Sequence, residues 1–63
     1  MPAPGLRVRV ASALFAEPVI AVLVLPVFDD YWMVRLLVPT RDTLNQTVED
    51  LIVPLTECTP IDK

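Results

Sequence analysis

Sixty-three residues, 54% of them apolar, with one cysteine and no histidine, can make one small domain at most, and a chain of that length buries only about 60% of the surface its unfolded form exposes. The single Cys58 excludes an internal disulfide, and without histidine there is neither a plausible structural zinc site nor a Ser–His or Cys–His nucleophile pair. A net charge of −3 argues against nucleic acid as a partner, because such modules cluster Lys and Arg on one face.

The chain opens on Met1-Pro2-Ala3-Pro4-Gly5, a Pro/Gly cluster that reads as an irregular arm over residues 1–5. A single domain is expected over residues 6–55. Leu6, Val8 and Val10 alternate with Arg7 and Arg9, the period-two signature of a half-buried strand, which runs on toward Phe15 and ends before Glu17-Pro18. Arg7 and Arg9 share one face of it, a pair that reads as a solvated edge. Val19 to Phe28 is apolar on both faces and rich in β-branched residues, so its length, bounding turns and Pro26 make it a strand buried on both sides rather than a short helix. Pro26 removes a ladder donor and belongs near the strand end, at a bulge or at an edge. Asp29-Asp30 falls where a tight hairpin turn belongs. Tyr31 to Val38 forms the third strand, with Trp32, Val34, Leu36 and Val38 on one face and Tyr31, Met33, Arg35 and Leu37 on the other, closed by Pro39.

From Thr40 the pattern predicts a helix. Leu44, Val48, Leu51 and Leu55 recur at helical spacing with Ile52 beside them, opposite Asn45, Gln46, Glu49 and Asp50. Thr43 and Gln46 have capping-box spacing, Thr40 is a competing N-cap, Asp42 suits the positive end of the helix dipole, and Pro54 ends the helix near Val53. Residues 56–63 read as an extended tail. The fold class expected is therefore α+β, a three-stranded antiparallel meander followed by one amphipathic helix in the order β-β-β-α. The helix covers one face of the meander and nothing is left in the chain for the other.

Val10 to Phe28 is long enough to span a bilayer, but Glu17, Pro18 and Pro26 leave an uninterrupted run of only Val19 to Leu25. Glu17-Pro18 also splits the apolar region that a signal peptide would need. A membrane-associated peptide is the reading that composition alone favours. One unpaired cysteine fits a reducing compartment, the cytoplasm.

No catalytic, cofactor-binding or metal-binding residues are expected. Cys58 stands beside Glu57, whose charge raises a thiol pKa rather than lowering it. Asp29-Asp30 reads as a turn and Glu49-Asp50 as the solvated face of the helix, with no further ligands converging on either. The enzyme alternative rests on Pro2, which removal of Met1 would expose as a secondary amine able to act as base or nucleophile. In that feature the chain resembles short N-terminal-proline tautomerases, but Pro4-Gly5 interrupts where their first strand begins. Thr47-Val48-Glu49-Asp50-Leu51-Ile52 is similar to the start of the central helix in sulfur-carrier β-grasp domains, over about Val19 to Leu55. No later strands or terminal Gly-Gly accompany it, so carrier chemistry has nothing to attach to.

A mean hydropathy of +0.57 exceeds what so small an interior can hide, and contiguous exposed apolar surface marks contact sites. The function expected is a small non-catalytic protein–protein interaction module, an accessory or structural subunit of a larger assembly or a homo-oligomer. A small acidic inhibitor protein is the neighbouring alternative. The interface is expected at Val22, Val24, Phe28, Tyr31, Trp32, Met33 and Arg35, with Trp32 divided between the interface and the domain's own core.

Overall fold

The computed structural model describes residues 3–61. It is an antiparallel sheet of five strands, β1 (Arg7–Val10), β2 (Val19–Phe28), β3 (Tyr31–Arg41), β4 (Thr47–Pro54) and β5 (Cys58–Pro60), with one 3-10 turn at Leu55–Glu57. The strands lie in the order β4-β3-β2-β1-β5. The β-β-β-α order is thus corrected to all-β, and the amphipathic helix expected from Thr40 does not form.

Local chemistry explains the correction. One Asp42 side-chain oxygen accepts the N–H groups of both Leu44 and Gln46, each at 2.9 Å, while the Asp42 N–H donates to the Gln46 carbonyl at 2.9 Å. Asn45 takes a positive φ of 66°, which short amide side chains tolerate. Side-chain bonds of this kind compete with the helix for the same backbone groups. Thr47 to Val53 then contains four β-branched residues, Thr47, Val48, Ile52 and Val53, and pairs with β3 from Tyr31↔Pro54 to Arg41↔Thr47. An isolated helix of this length is marginal in water, whereas the strand satisfies an edge of β3 that a helix would have left open.

The other elements follow the sequence more closely. Ala3 to Leu6 forms a type II turn: Pro4 fills its second position, Gly5 its third with φ 92°, and the Leu6 N–H donates to Ala3 O at 3.1 Å. A side chain at Gly5 meets no obstacle within 4 Å, so the positive φ alone calls for glycine there. β1 is shorter than expected and ends at Val10. Asp29-Asp30 forms the two-residue hairpin turn between paired Phe28 and Tyr31, with a positive φ of 47° at Asp29. The expected tail folds back: Cys58, Thr59 and Pro60 pair with Val10, Arg9 and Val8.

The sheet has two unlike faces. Val8, Val10, Ala21, Leu23, Trp32, Val34, Leu36 and Val53 are buried on the inner face, and Phe15 is buried against them. Leu6, Val19, Val48, Leu51, Leu55 and Cys58 pack around this core. No polar side chain is buried among the described residues. A single sheet closes over its own face only by bending, and three irregularities supply the bend. Val24-Leu25 stand two against one opposite Met33, Val27-Phe28 stand two against one opposite Tyr31, and residues 36–39 of β3 face only Glu49 of β4. Pro26 lies between the first two, at bulges, where a proline inside a strand is tolerated.

Candidate interaction surface

The outer face collects what the core leaves out. Cross-strand pairing sets Tyr31 beside Phe28 and Pro54, Met33 beside Leu25 and Ile52, and Arg35 beside Val22 and Asp50. Arg7 pairs with Val22 and Arg9 with Ile20, so both arginines stand on this face as well. Toward the β2–β3 turn and the β4 edge four large apolar residues are exposed: Leu25 44%, Val27 43%, Phe28 56% and Ile52 52%. The Phe28 and Tyr31 rings stack with centroids 4.7 Å apart and planes 14° from parallel. Leu37, further along β3 on the same face, is also exposed.

Of the seven residues singled out from sequence, six share this face. Val22, Val24, Tyr31 and Met33 are half-buried there, and Phe28 and Arg35 are exposed. Trp32 lies on the opposite side, 8% exposed within the core opposite Val53, so it anchors the domain and not the surface. Leu25, Val27 and Ile52 were missed. Leu25 and Val27 turn outward because each bulge sets two consecutive residues against one partner, a local event that strict alternation does not foretell. Ile52 was hidden by the helical reading of its segment. The signal for Arg7 and Arg9 was present in their alternation with Leu6, Val8 and Val10.

The charges on this face are sparse and ordered. Arg35 donates through Nε to Asp50 Oδ1 at 2.8 Å, and that hydrogen bond, followed by the carboxylate's charge, raises the guanidinium pKa above its ordinary value. Both side chains are largely exposed, so the pair contributes little to folding and is screened by salt. Glu49 and Asp50 are both exposed on β4, at the irregularity of its pairing with β3, and not on a helix.

A groove of about 370 Å³ between the β1–β2 loop and the end of β3 is lined by Phe15, Ala16, Glu17, Pro18, Val19, Thr40 and Arg41. Its arginine is engaged with Asn45 Oδ1 at 2.8 Å, and Glu17 is its one carboxylate, without a nucleophile beside it. No group of three or more His, Cys, Asp or Glu side chains converges as a metal site among the described residues. Pro2, the basis of the tautomerase alternative, lies outside them. No helix among the described residues is long and apolar enough to cross a membrane.

Cys58 sits in β5, half-buried against the core, with its thiol 3.7 Å from Pro54 O. Burial, and then the charge of Glu57, pushes the thiol pKa up. A raised pKa in the folded state means that the neutral thiol favours folding below the unfolded value of about 8.5 and that this contribution is lost as pH rises through the folded value. Two results are expected: iodoacetamide at pH 8 should label the folded chain several-fold more slowly than the urea-unfolded chain, and the urea midpoint should fall more steeply above pH 8.5 in the wild type than in Cys58→Ala. Equal labelling rates in both states would contradict the assignment.

Compared with known proteins, the chain matches no family model, no curated protein and no solved structure.

Proposed function

We propose that the chain is a small non-catalytic interaction module, a structural or accessory subunit that works by laying the outer face of its sheet against another protein surface. The observation that carries this reading is the continuous apolar strip formed by Leu25, Val27, Phe28 and Ile52, with half-buried Tyr31 and Met33 between them. Its composition matches interface cores, where aromatic residues, methionine and arginine are enriched. Fully burying such a side chain is worth about 1.5–3 kcal/mol, and the strip residues still have roughly half of that to gain. The inner face, by contrast, is already closed.

Sedimentation of the protein recovered from its own source under non-denaturing conditions tests the reading. The chain should travel in a particle larger than its 7.0 kDa, and the paired substitutions Leu25→Ser and Ile52→Ser should return it to single-chain size. Trp32, the sole tryptophan, is buried on the other face and reports independently through its fluorescence that the variant is folded. A wild-type chain that sediments as a folded single chain overturns the proposal.

A further inference from the structure

We infer that the partner on this face is a second copy of the same chain, related by a two-fold axis that lies in the contact plane and crosses the strands at the level of Leu25 and Met33. The inference rests on the interaction reading above and adds the identity of the partner.

Charge is laid out along β2 in a way that is complementary to itself. At one end Arg9 pairs with Ile20 and Arg7 with Val22; Arg35, opposite Val22 on the other side, is neutralised by Asp50 at 2.8 Å, so the net positive charge there is that of Arg7 and Arg9. At the far end the hairpin turn carries Asp29 and Asp30. Leu25 is midway between Ile20 and Asp30, so a two-fold at that level brings the acidic turn of each copy over the Arg9 end of the other. It also sets Arg7 at the level of the partner's Phe28–Tyr31 ring pair. The apolar row of Leu25, Met33 and Ile52 meets itself at the centre. An isologous contact requires a patch that complements itself under this rotation, and the strip has the required order of acid, aromatic, apolar and base.

Size supports the same occupant. The molecule measures 32 × 27 × 16 Å, and a stable interface takes about 800 Å² from each partner. Only near-complete use of the broad 32 by 27 Å side reaches that area. A second sheet of the same dimensions covers it, at the roughly 10 Å spacing of stacked sheets, whereas a single peptide strand covers a fraction of it.

Sedimentation equilibrium of the purified chain alone is the test, with the single variants Arg9→Asp and Asp30→Arg and their combination, each checked for folding by Trp32 fluorescence. The wild type should dimerise at micromolar concentration. Because each contact occurs twice in an isologous dimer, either reversal should weaken dimerisation by about tenfold or more, and the combined variant should recover most of the loss. A folded wild type that stays monomeric up to about 100 μM overturns the second-copy inference. In that event a large particle from the native source leaves the interaction reading standing with a foreign partner, and a single chain from both sources removes both. A dimer indifferent to both reversals places the contact elsewhere and also overturns the inference.

Discussion

Phe15→Ala should destabilise the chain by about 3–5 kcal/mol, the usual cost of emptying a buried aromatic site. A 63-residue domain has a total stability of about 3–9 kcal/mol at typical per-residue values, so the variant should lose about a third of it or more. The reason for so large an effect at a loop residue is architectural. One sheet has no second layer to cover its inner face, and Phe15 is the residue that the β1–β2 loop sends back onto it, 6% exposed among Val8, Val10, Ala21 and the rest of the core. The loop is built to aim it: Leu14 N–H donates to Ser12 Oγ at 3.2 Å, Phe15 N–H to Ser12 O at 3.2 Å, and Thr43 N–H to Leu14 O at 2.7 Å. Leu14, its neighbour, is 42% exposed, and Leu14→Ala should cost less than about 1 kcal/mol. Urea titration followed by Trp32 fluorescence measures both at one protein concentration, since self-association adds to apparent stability by mass action. A loss under about 1 kcal/mol for Phe15→Ala would show that something other than this ring closes the inner face.

The central hairpin was legible in the sequence and the flanks were not. β2 begins at Val19 and ends at Phe28 as its bounding turn signals indicate, and the alternation of Trp32, Val34 and Leu36 against Tyr31, Met33 and Arg35 sorts the two faces, but Val38, expected with the first set, is 69% exposed where the pairing with β4 becomes irregular. Both strands pair locally across a two-residue turn, so near neighbours determine them. The helix reading failed because Val48 and Leu51, three residues apart, both pack on the core, a spacing that imitates a helix. In the sheet that spacing arises from the irregular pairing opposite Glu49, where residues 36–39 of β3 loop past it. β5 was invisible for a different reason: three residues carry no periodicity, and only pairing with β1 across nearly fifty intervening positions makes Cys58–Pro60 a strand.

The same geometry separates folding from association. The inner face is apolar and closed, so changes there act on stability; the outer face is apolar and open, so the proposed contact predicts that changes there act on association. Arg7 and Arg9 illustrate why the two had to be told apart. In sequence they are merely the polar half of an alternating strand, but the sheet order sets them one strand away from the outward residues of β2, on the face that also carries Phe28 and Ile52.

The segment from Thr43 to Val53 offers the sharpest contrast between strand and helix. A helix makes Leu44 the first of its core contacts. In the sheet Leu44 sits in the turn, 71% exposed, and Leu44→Asp should change stability by no more than about 0.5 kcal/mol. Val53 is 3% exposed opposite Trp32, and the core around it contains no polar side chain to pair with a charge. Val53→Asp therefore buries an uncompensated carboxylate and should cost about 3–5 kcal/mol, comparable with breaking a buried ion pair. Denaturation midpoints of the two variants, read from Trp32 fluorescence, decide the matter. A large loss for Leu44→Asp would restore the helix, because no exposed turn leucine contributes that much. Tolerance at Val53 would mean that β4 does not pack where its register places it. With Leu44→Asp neutral and Val53→Asp unfolded, β4 holds Ile52 outward by the same alternation that buries Val53, which fixes one border of the sheet's outer apolar face.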